Sequence, residues 1–241
     1  MKLKLLVIGL ISANTLFAQT TPSDGKDLIR MMHKQYLNKW YPSLCFAQNV
    51  YNYKNDSLVS TDVWYETYRT PGKLILKFSS WESGNGMIFR NDSLYIFSKG
   101  YISNKMLRLH DLIILGFDVY QQKIETTIDQ AERMGYNLNL IEKVDLNGNP
   151  AWLVGDSSKL CFWVNASNLL FLKMKRVTAN AYREVDFAKY EIFDGFPVAT
   201  LIKFYNAPGK LNMVEEYFNV RVNCNVDDSV FMPQKFNKSA W

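Results

Sequence analysis

The sequence has few of the residues on which catalytic and metal sites usually depend. Only two histidines, His33 and His110, and three cysteines occur in 241 residues. There is no HExxH, CxxC or GxSxG motif and no phosphate-binding glycine loop. The residues give no support to a zinc site, a serine hydrolase or a nucleotide-dependent enzyme. We therefore expect no catalytic residues, no metal and no cofactor.

The three cysteines, Cys45, Cys161 and Cys224, stand in apolar stretches with strand character. Such surroundings raise the pKa of a thiol, so we expect none of them to act as a nucleophile. An oxidising compartment would permit one disulfide among three possible pairings. The spacing does not choose between one bridge and three separate thiols.

Long apolar runs and basic tracts are also missing. No stretch reaches the about 18 consecutive apolar residues that a membrane helix needs. The net charge of +5 comes without a run of five basic residues, so we expect no nucleic-acid partner. The opening "MKLKLLVIGLISANTLFA" has the basic start, short apolar centre and small final residue of a cleaved signal peptide over residues 1–18. No cysteine follows it at a lipid-attachment position, which predicts an exported, soluble protein.

The rest of the chain, 19–241, is predicted to form a single domain. Apolar spacing predicts a helix over about 26–38, and then the period changes to two. Turns such as Asn91-Asp92 and Asn147-Gly148 separate about eleven strands in hairpin order. One or two helices interrupt them within 111–134. The expected class is α+β, mainly antiparallel, with a sheet that curls to shelter its edges.

Several strands are apolar on one face, and some on both. The ordinary interpretation is that helices cover all of this surface. The alternative is partial coverage, which leaves a cavity for an acyl chain. The residues predicted to line that cavity are Leu74, Leu76, Phe78, Ile88, Tyr95, Phe97, Leu170, Leu172, Met174, Phe218 and Val220. The predicted lid or plug presents Ile113, Ile114, Phe117, Ile124 and Ile128.

The order of these elements resembles the LolA-like superfamily of periplasmic lipoprotein carriers and their lipid-binding relatives. The resemblance lies in Phe46 and Gln48 of the first strand, the aromatic strand that runs into Arg69-Thr70-Pro71, the "NDSLYIF" hairpin and the late "SVFMP". It implies a strongly curved, incomplete barrel closed by a helical lid. It also implies that Arg69 latches the lid, although Thr70 separates that arginine from the proline.

The resemblance implies a carrier or chaperone of the periplasm that shelters acyl chains of a lipoprotein or lipid in transfer to the outer membrane. Its partners would be the acyl chains and an envelope receptor or transporter, with peripheral membrane contact only. The first alternative is an envelope sensor or scaffold that binds another protein on the curved sheet without a lipid. A secreted hydrolase that uses scattered acidic residues is a third possibility.

Overall fold

The computed structural model describes residues 21–238, so the predicted signal peptide lies outside the described residues. The helices are α1 (Gly25–Tyr36), α2 (Asp111–Gly116) and α3 (Ile124–Arg133), and 3-10 turns occupy Asp118–Tyr120, Asp228–Phe231 and Pro233–Lys238. The strands are β1 (Ser43–Lys54), β2 (Ser57–Arg69), β3 (Lys73–Phe78), β4 (Gly86–Arg90), β5 (Ser93–Ser98), β6 (Tyr101–Leu107), β7 (Ile141–Leu146), β8 (Asn149–Asp156), β9 (Leu160–Asn165), β10 (Phe171–Thr178), β11 (Ala181–Phe193), β12 (Phe196–Ala207) and β13 (Lys210–Val222).

All thirteen strands form one antiparallel, curved and unclosed sheet. Its order is β6-β5-β4-β3-β2-β1-β13-β12-β11-β10-β9-β8-β7, so the first and last strands pair at the centre. The edges are β6 and β7, and the helical segment 111–133 connects them along the chain. The predicted mainly antiparallel, incomplete barrel is confirmed, with thirteen strands instead of about eleven. The sequence analysis did not assign β6, which is exposed along its whole length.

Helix α1 begins where its sequence predicts. The side chain of Asp24 accepts a hydrogen bond from the Asp27 backbone N–H at 2.7 Å and caps the first turn, which stabilises a helix by about 1 kcal/mol. Met32 lies one turn after the adjacent residues Leu28 and Ile29. All three side chains are fully buried against the main core. Helix α1 thereby fixes one side of the cover over the sheet.

Helix α2 is short and apolar, and all six of its residues are buried. A helix on a protein surface normally keeps a polar face. Because α2 has none, it lies inside the curve of the sheet as a plug. We call the face of the sheet that contacts α2 the inner face and the opposite face the outer face.

The outer face carries a smaller core that the end of the chain covers. This outer cluster consists of Ile75, Trp81, Ile88, Phe97, Phe231 and Phe236. The rings of Phe97 and Phe236 stack with centroids 3.8 Å apart. Lys77 is buried beside them; its Nζ donates to the Phe236 carbonyl at 2.6 Å, and burial lowers its pKa to about 8. The segment 228–238 therefore packs closely onto this face.

The three cysteines are free thiols. Burial raises the pKa of Cys161 to about 11, as its apolar strand predicts. A hydrogen bond from Cys224 has the opposite effect on Cys45 and lowers its pKa to about 7. The expectation of a raised thiol pKa is therefore wrong for Cys45, because β1 and the residues after β13 bring the two thiols together.

Candidate functional site

An apolar cavity of about 320 Å³ lies between the inner face and α2. This volume falls at the lower end of the range of about 300–1,000 Å³ that small-molecule sites occupy. Its apolar wall consists of Phe46, Trp64, Tyr68, Leu74, Leu76, Met87, Phe89, Leu94, Ile96, Leu112, Ile113, Phe117, Phe187, Ile202, Phe204, Met213 and Tyr217. Strands from both halves of the sheet contribute, and α2 closes the cavity from above.

The strand pairing explains why these side chains meet. Tyr68 is opposite Leu74, Leu74 is opposite Phe89, and Phe89 is opposite Leu94. Residues that are directly opposite in an antiparallel pair point to the same face. A row of apolar side chains thus crosses β2 to β5, and the next row, two residues along each strand, continues it with Leu76.

Four of the predicted site residues line this cavity: Leu74, Leu76, Ile113 and Phe117. Seven others lie in or against the inner core but outside the cavity wall: Phe78, Ile114, Ile124, Ile128, Leu170, Met174 and Val220. The predicted lid does pack over the inner face, although α3 covers core and not cavity.

Three predicted cavity residues lie on the wrong side of the sheet. Ile88, Tyr95 and Phe97 belong to or pack against the outer cluster, not the cavity. Ile88 is opposite Ile75 in the ladder, which fixes its outward direction. The hairpin of β4 and β5 is apolar on both faces, so alternation alone could not distinguish inside from outside.

Leu172 is also placed on the outer face, where it packs near Trp163. The register of β10 against β9 shifts between Phe171 and Lys173, which changes the phase of the alternation. Phe171 is consequently buried in the inner core, although the sequence pattern grouped it with the wet face.

Phe218 is the fifth correction. Its neighbour Tyr217 faces inward and lines the cavity, so Phe218 points outward. Asn219 then takes a left-handed backbone conformation, with φ of +50°, beside a shift in the β1–β13 register. That bulge returns Val220 to the inner core, as predicted, and separates it from Phe218, which two-residue alternation had placed on the same face.

Within residues 21–238, the guanidinium of Arg69 hydrogen-bonds to the segment after β13 and not to the helical insert. It donates to the Val226 carbonyl at 2.8 Å and so holds that segment. The insert is tied down by Asp118, which is fully buried and accepts from the Tyr68 hydroxyl at 2.7 Å and the Gly72 N–H at 2.9 Å. Burial raises the pKa of Asp118 to about 7. An acid of the insert itself thus makes two of the hydrogen bonds that tie the insert to the sheet.

The cavity wall also contains two carboxyl groups, on Glu66 and Glu215. Gln48 donates to Glu66 Oε1 at 2.9 Å. Burial raises the pKa of Glu215 to about 8; burial, and then Glu215 itself, raise the pKa of Glu66. Glu215 is therefore mainly protonated near neutral pH, and the pKa of Glu66 is shifted in the same direction. The sequence analysis missed them, although Glu66 alternates in phase with Trp64 and Tyr68.

One end of the cavity is polar and is formed by Arg108, His110 and Arg183. His110 Nδ1 accepts from the Ile113 N–H at 3.4 Å at the start of α2. Burial, and then the positive charge of Arg183, lower the pKa of His110 to about 3. The imidazole is therefore neutral at neutral pH.

Within residues 21–238, no cluster of histidine, cysteine and acidic side chains could hold a metal ion. In the same part of the chain, no helix combines the length and apolar character needed to span a bilayer. The cavity is accordingly built from apolar, neutral acidic and cationic groups.

No protein-family model and no curated protein matches the sequence. Solved structures do. A domain assigned to outer membrane lipoprotein sorting from Vibrio parahaemolyticus matches with a TM-score of 0.58 and 14% identity, over 87% of this chain and 97% of that one. A LolA superfamily protein from Nitrosomonas europaea matches with a TM-score of 0.56 and 16% identity, over 85% of this chain and 97% of that one. A DUF1329 family protein from Desulfovibrio piger matches with a TM-score of 0.55 and 12% identity, over 86% of this chain and 95% of that one. The fold is LolA-like.

Proposed function

We propose that this chain is a periplasmic carrier or chaperone that shelters an acyl chain of a lipid or lipoprotein in transfer to the outer membrane. The observation that carries the proposal is the apolar cavity of about 320 Å³ under α2. Each methylene that moves from water into such a space stabilises the complex by about 0.8 kcal/mol. An acyl chain therefore needs only a dry apolar wall to be held there.

The protonation of the wall supports an apolar ligand. A buried ionised carboxylate would be costly beside a hydrocarbon chain. With a pKa of about 8, Glu215 is mainly neutral at pH 7, and the pKa of Glu66 is raised as well. Apart from Arg108 and Arg183 at its polar end, the wall thus presents little charge to a chain that enters.

The cover of the cavity supports reversible loading. Helix α2 and Phe117 close the cavity, while Asp118 ties this insert to Tyr68 and Gly72. A few hydrogen bonds of this kind contribute only about 0.5–1.5 kcal/mol each. In this proposal, uptake and release require movement of the insert relative to the sheet, and the apolar surface that α2 exposes when it moves is covered again by the acyl chain.

The LolA-like fold and the lipoprotein-sorting assignment of one structural neighbour support the same reading. The basic and apolar opening of the sequence supports export to the periplasm. In this proposal the partners are the acylated cargo and an envelope receptor or transporter, and membrane contact is peripheral.

The first test is organic extraction of protein purified without detergent, followed by mass spectrometry. We expect an acyl lipid in stoichiometric amount. Delipidated protein should bind a fluorescent fatty-acid probe that unlabelled fatty acid displaces. Protein that carries no lipid and binds neither fatty acid, phospholipid nor acylated peptide contradicts the proposal.

A matched pair of variants tests whether the cavity is the binding site. Ile96 lines the cavity, while Tyr95, the preceding residue, packs on the outer face. Ile96→Trp should fill the cavity and weaken probe binding at least about ten-fold, the loss expected from displacing about two methylenes. Tyr95→Trp should leave binding unchanged. Equal effects of the two substitutions would exclude the cavity as the site.

One observation favours the alternative of a sensor or scaffold. Edge strand β6 exposes apolar side chains, with Tyr101 79% and Leu107 87% exposed. An exposed edge can pair with a strand of another protein. A scaffold would be purified without lipid and would lose its partner when Tyr101 is changed to Lys, whereas a carrier would keep its lipid in that variant, because Tyr101 lines neither the apolar cavity nor its polar end.

A further inference from the structure

A second cavity, of about 550 Å³, adjoins the apolar one at the open edge of the sheet. Residues of β6, α3, β10 and β11 surround it. The two cavities share Arg108 and Arg183 in their walls. An amphiphile in the apolar cavity would therefore meet both arginines where it leaves that cavity.

The second cavity has an excess of positive charge. Four arginines line it, against two aspartates: Arg108, Arg133, Arg176, Arg183, Asp92 and Asp111. Arg176 donates to Asp111 at 2.6 Å, and Arg133 lies 3.2 Å from Asp92. Asp111 also accepts from the Tyr136 hydroxyl at 2.9 Å. Both aspartates are thus engaged by the other two arginines.

The guanidinium groups of Arg108 and Arg183 have no hydrogen-bond or ion-pair partner among residues 21–238. Arg183 is half-buried; burial lowers its pKa and Arg108 adds to that effect, against the opposing charge of Asp111. Arginine stays protonated even so, because its ordinary pKa is above 12. The junction thus holds two neighbouring guanidinium groups, one of them half-buried, that make no hydrogen bond or ion pair within residues 21–238 and feel Asp111 only through its longer-range charge.

His110 adds a donor at the same place. Its Nδ1 accepts from the Ile113 N–H, and the ring is neutral, so the proton is on Nε2. His110 lines the apolar cavity together with Arg108 and Arg183. The junction combines two guanidinium groups with a neutral imidazole N–H, which is a donor set that suits the oxygens of a phosphate.

We propose that Arg108 and Arg183, with His110, bind the phosphate head group of an amphiphile whose acyl chain occupies the apolar cavity. This inference rests on the proposed function and narrows its cargo to an anionic phospholipid or a phosphate-bearing glycolipid. The head group lies at the open edge between β6 and β11, and the chain extends inward beneath α2. The two arginines thus set the direction in which the cargo enters.

The test compares two ligands with the same hydrocarbon, dioctanoyl phosphatidic acid and dioctanoylglycerol, by displacement of a fluorescent fatty-acid probe from the delipidated full chain. We expect the phosphatidic acid to bind at least about ten-fold more tightly, because charge-assisted hydrogen bonds are the strong ones. Arg183→Gln should abolish that preference, because it removes one of the two guanidinium groups proposed to hold the phosphate.

Arg133→Gln is the matched control, because Arg133 lines the same cavity but is paired with Asp92. It should preserve the preference. Equal binding of the two ligands by the unaltered protein would overturn the head-group site and leave the carrier function standing. Failure of both ligands to bind would overturn the carrier function itself. Inorganic phosphate that binds as tightly as phosphatidic acid would assign the arginines to a free anion, against this inference.

Discussion

The two faces of β3 to β5 carry similar apolar side chains, but the outer face is close-packed and the inner face borders a cavity. On the outer face, Ile75 is fully buried in a cluster that Phe231 and Phe236 complete. On the inner face, Leu76, the next residue of the same strand, borders a cavity. The outer face is covered by the end of the chain, whereas the inner face is covered by a helix of only six residues.

This contrast shows that the cavity does not follow from a shortage of apolar residues. The outer cover inserts aromatic rings into its sheet, and the ring of Phe236 stacks on Phe97. The inner cover, α2, offers Leu112 and Ile113 to a wider, curved surface and leaves space. Protein interiors normally have few voids larger than a water molecule. Under the proposed function, this void is the space that the acyl chain fills.

The largest expected effect is the loss of stability when Ile75 or its neighbour Leu76 is truncated to alanine. Ile75→Ala should lower the free energy of unfolding by about 4 kcal/mol, because it opens a hole in a close-packed cluster. Leu76→Ala should cost about 2 kcal/mol, because the side chain already borders empty space. Urea denaturation of both variants measures the difference. Equal losses would mean that the two faces are packed alike.

The second prediction concerns Glu215 of the cavity wall. Its pKa is raised from 4.5 to about 8, so the folded protein holds a proton that the unfolded chain releases. Stability should therefore fall as the pH rises from about 4.5 to about 8. Glu215→Gln removes this loss and should raise the free energy of unfolding at pH 8 by up to about 4 kcal/mol, with little change at pH 4.

Glu216→Gln, on the opposite face of the same strand, is the control for that experiment. Denaturation at a series of pH values should give it the same pH dependence as the unaltered protein. A Glu215→Gln protein that still loses stability between pH 4.5 and 8, to the same extent as the parent, would show that Glu215 is ionised when folded.

A smaller effect is expected when the tie of the insert is weakened. In Asp118→Asn the amide nitrogen cannot accept from the Gly72 N–H, so one buried hydrogen bond is lost at a cost of about 1–2 kcal/mol. Amide hydrogen exchange in 111–120 should become faster, and the probe should enter the cavity more rapidly. Unchanged exchange in this segment would remove Asp118 from the role of latch.

The smallest effect is expected at Arg69. Arg69→Gln removes the hydrogen bond to the Val226 carbonyl and should cost about 0.5–1 kcal/mol. Exchange should become faster after residue 225, on the outer side, and should not change in the insert. Faster exchange in 111–120 would restore Arg69 as the lid latch that the family resemblance implied.

The order of the helices and strands could be predicted because each element has its own local sequence pattern. The capping Asp24 and the buried positions of α1, the turn residues of the hairpins and the apolar α2 each identify their own element. The position of α2 inside the curve also follows from its lack of a polar face. These features depend on neighbours a few residues apart, which a sequence displays directly.

The membership of the cavity wall could not be predicted in the same way. A shift of register by one residue reverses the face of every side chain that follows. Such shifts beside Leu172 and Asn219 depend on pairing with a distant strand. The polar end of the cavity depends on even longer connections, since Arg108 on one side of the sheet meets Arg183 on the other only when the sheet curves.

The position of the helical insert in the middle of the chain has a mechanical consequence. Strands β1 and β13, the first and last strands of the described residues, pair at the centre of the sheet, while β6 and β7 precede and follow the helical segment 111–133. Because both ends of this helical segment continue into strands of the sheet, the segment has no free end from which it could unfold, and any movement of it is restricted at both ends. In the proposed carrier, the return of the insert to the cavity after release of the cargo is therefore an intramolecular step, and the loop-closure entropy that it costs is small.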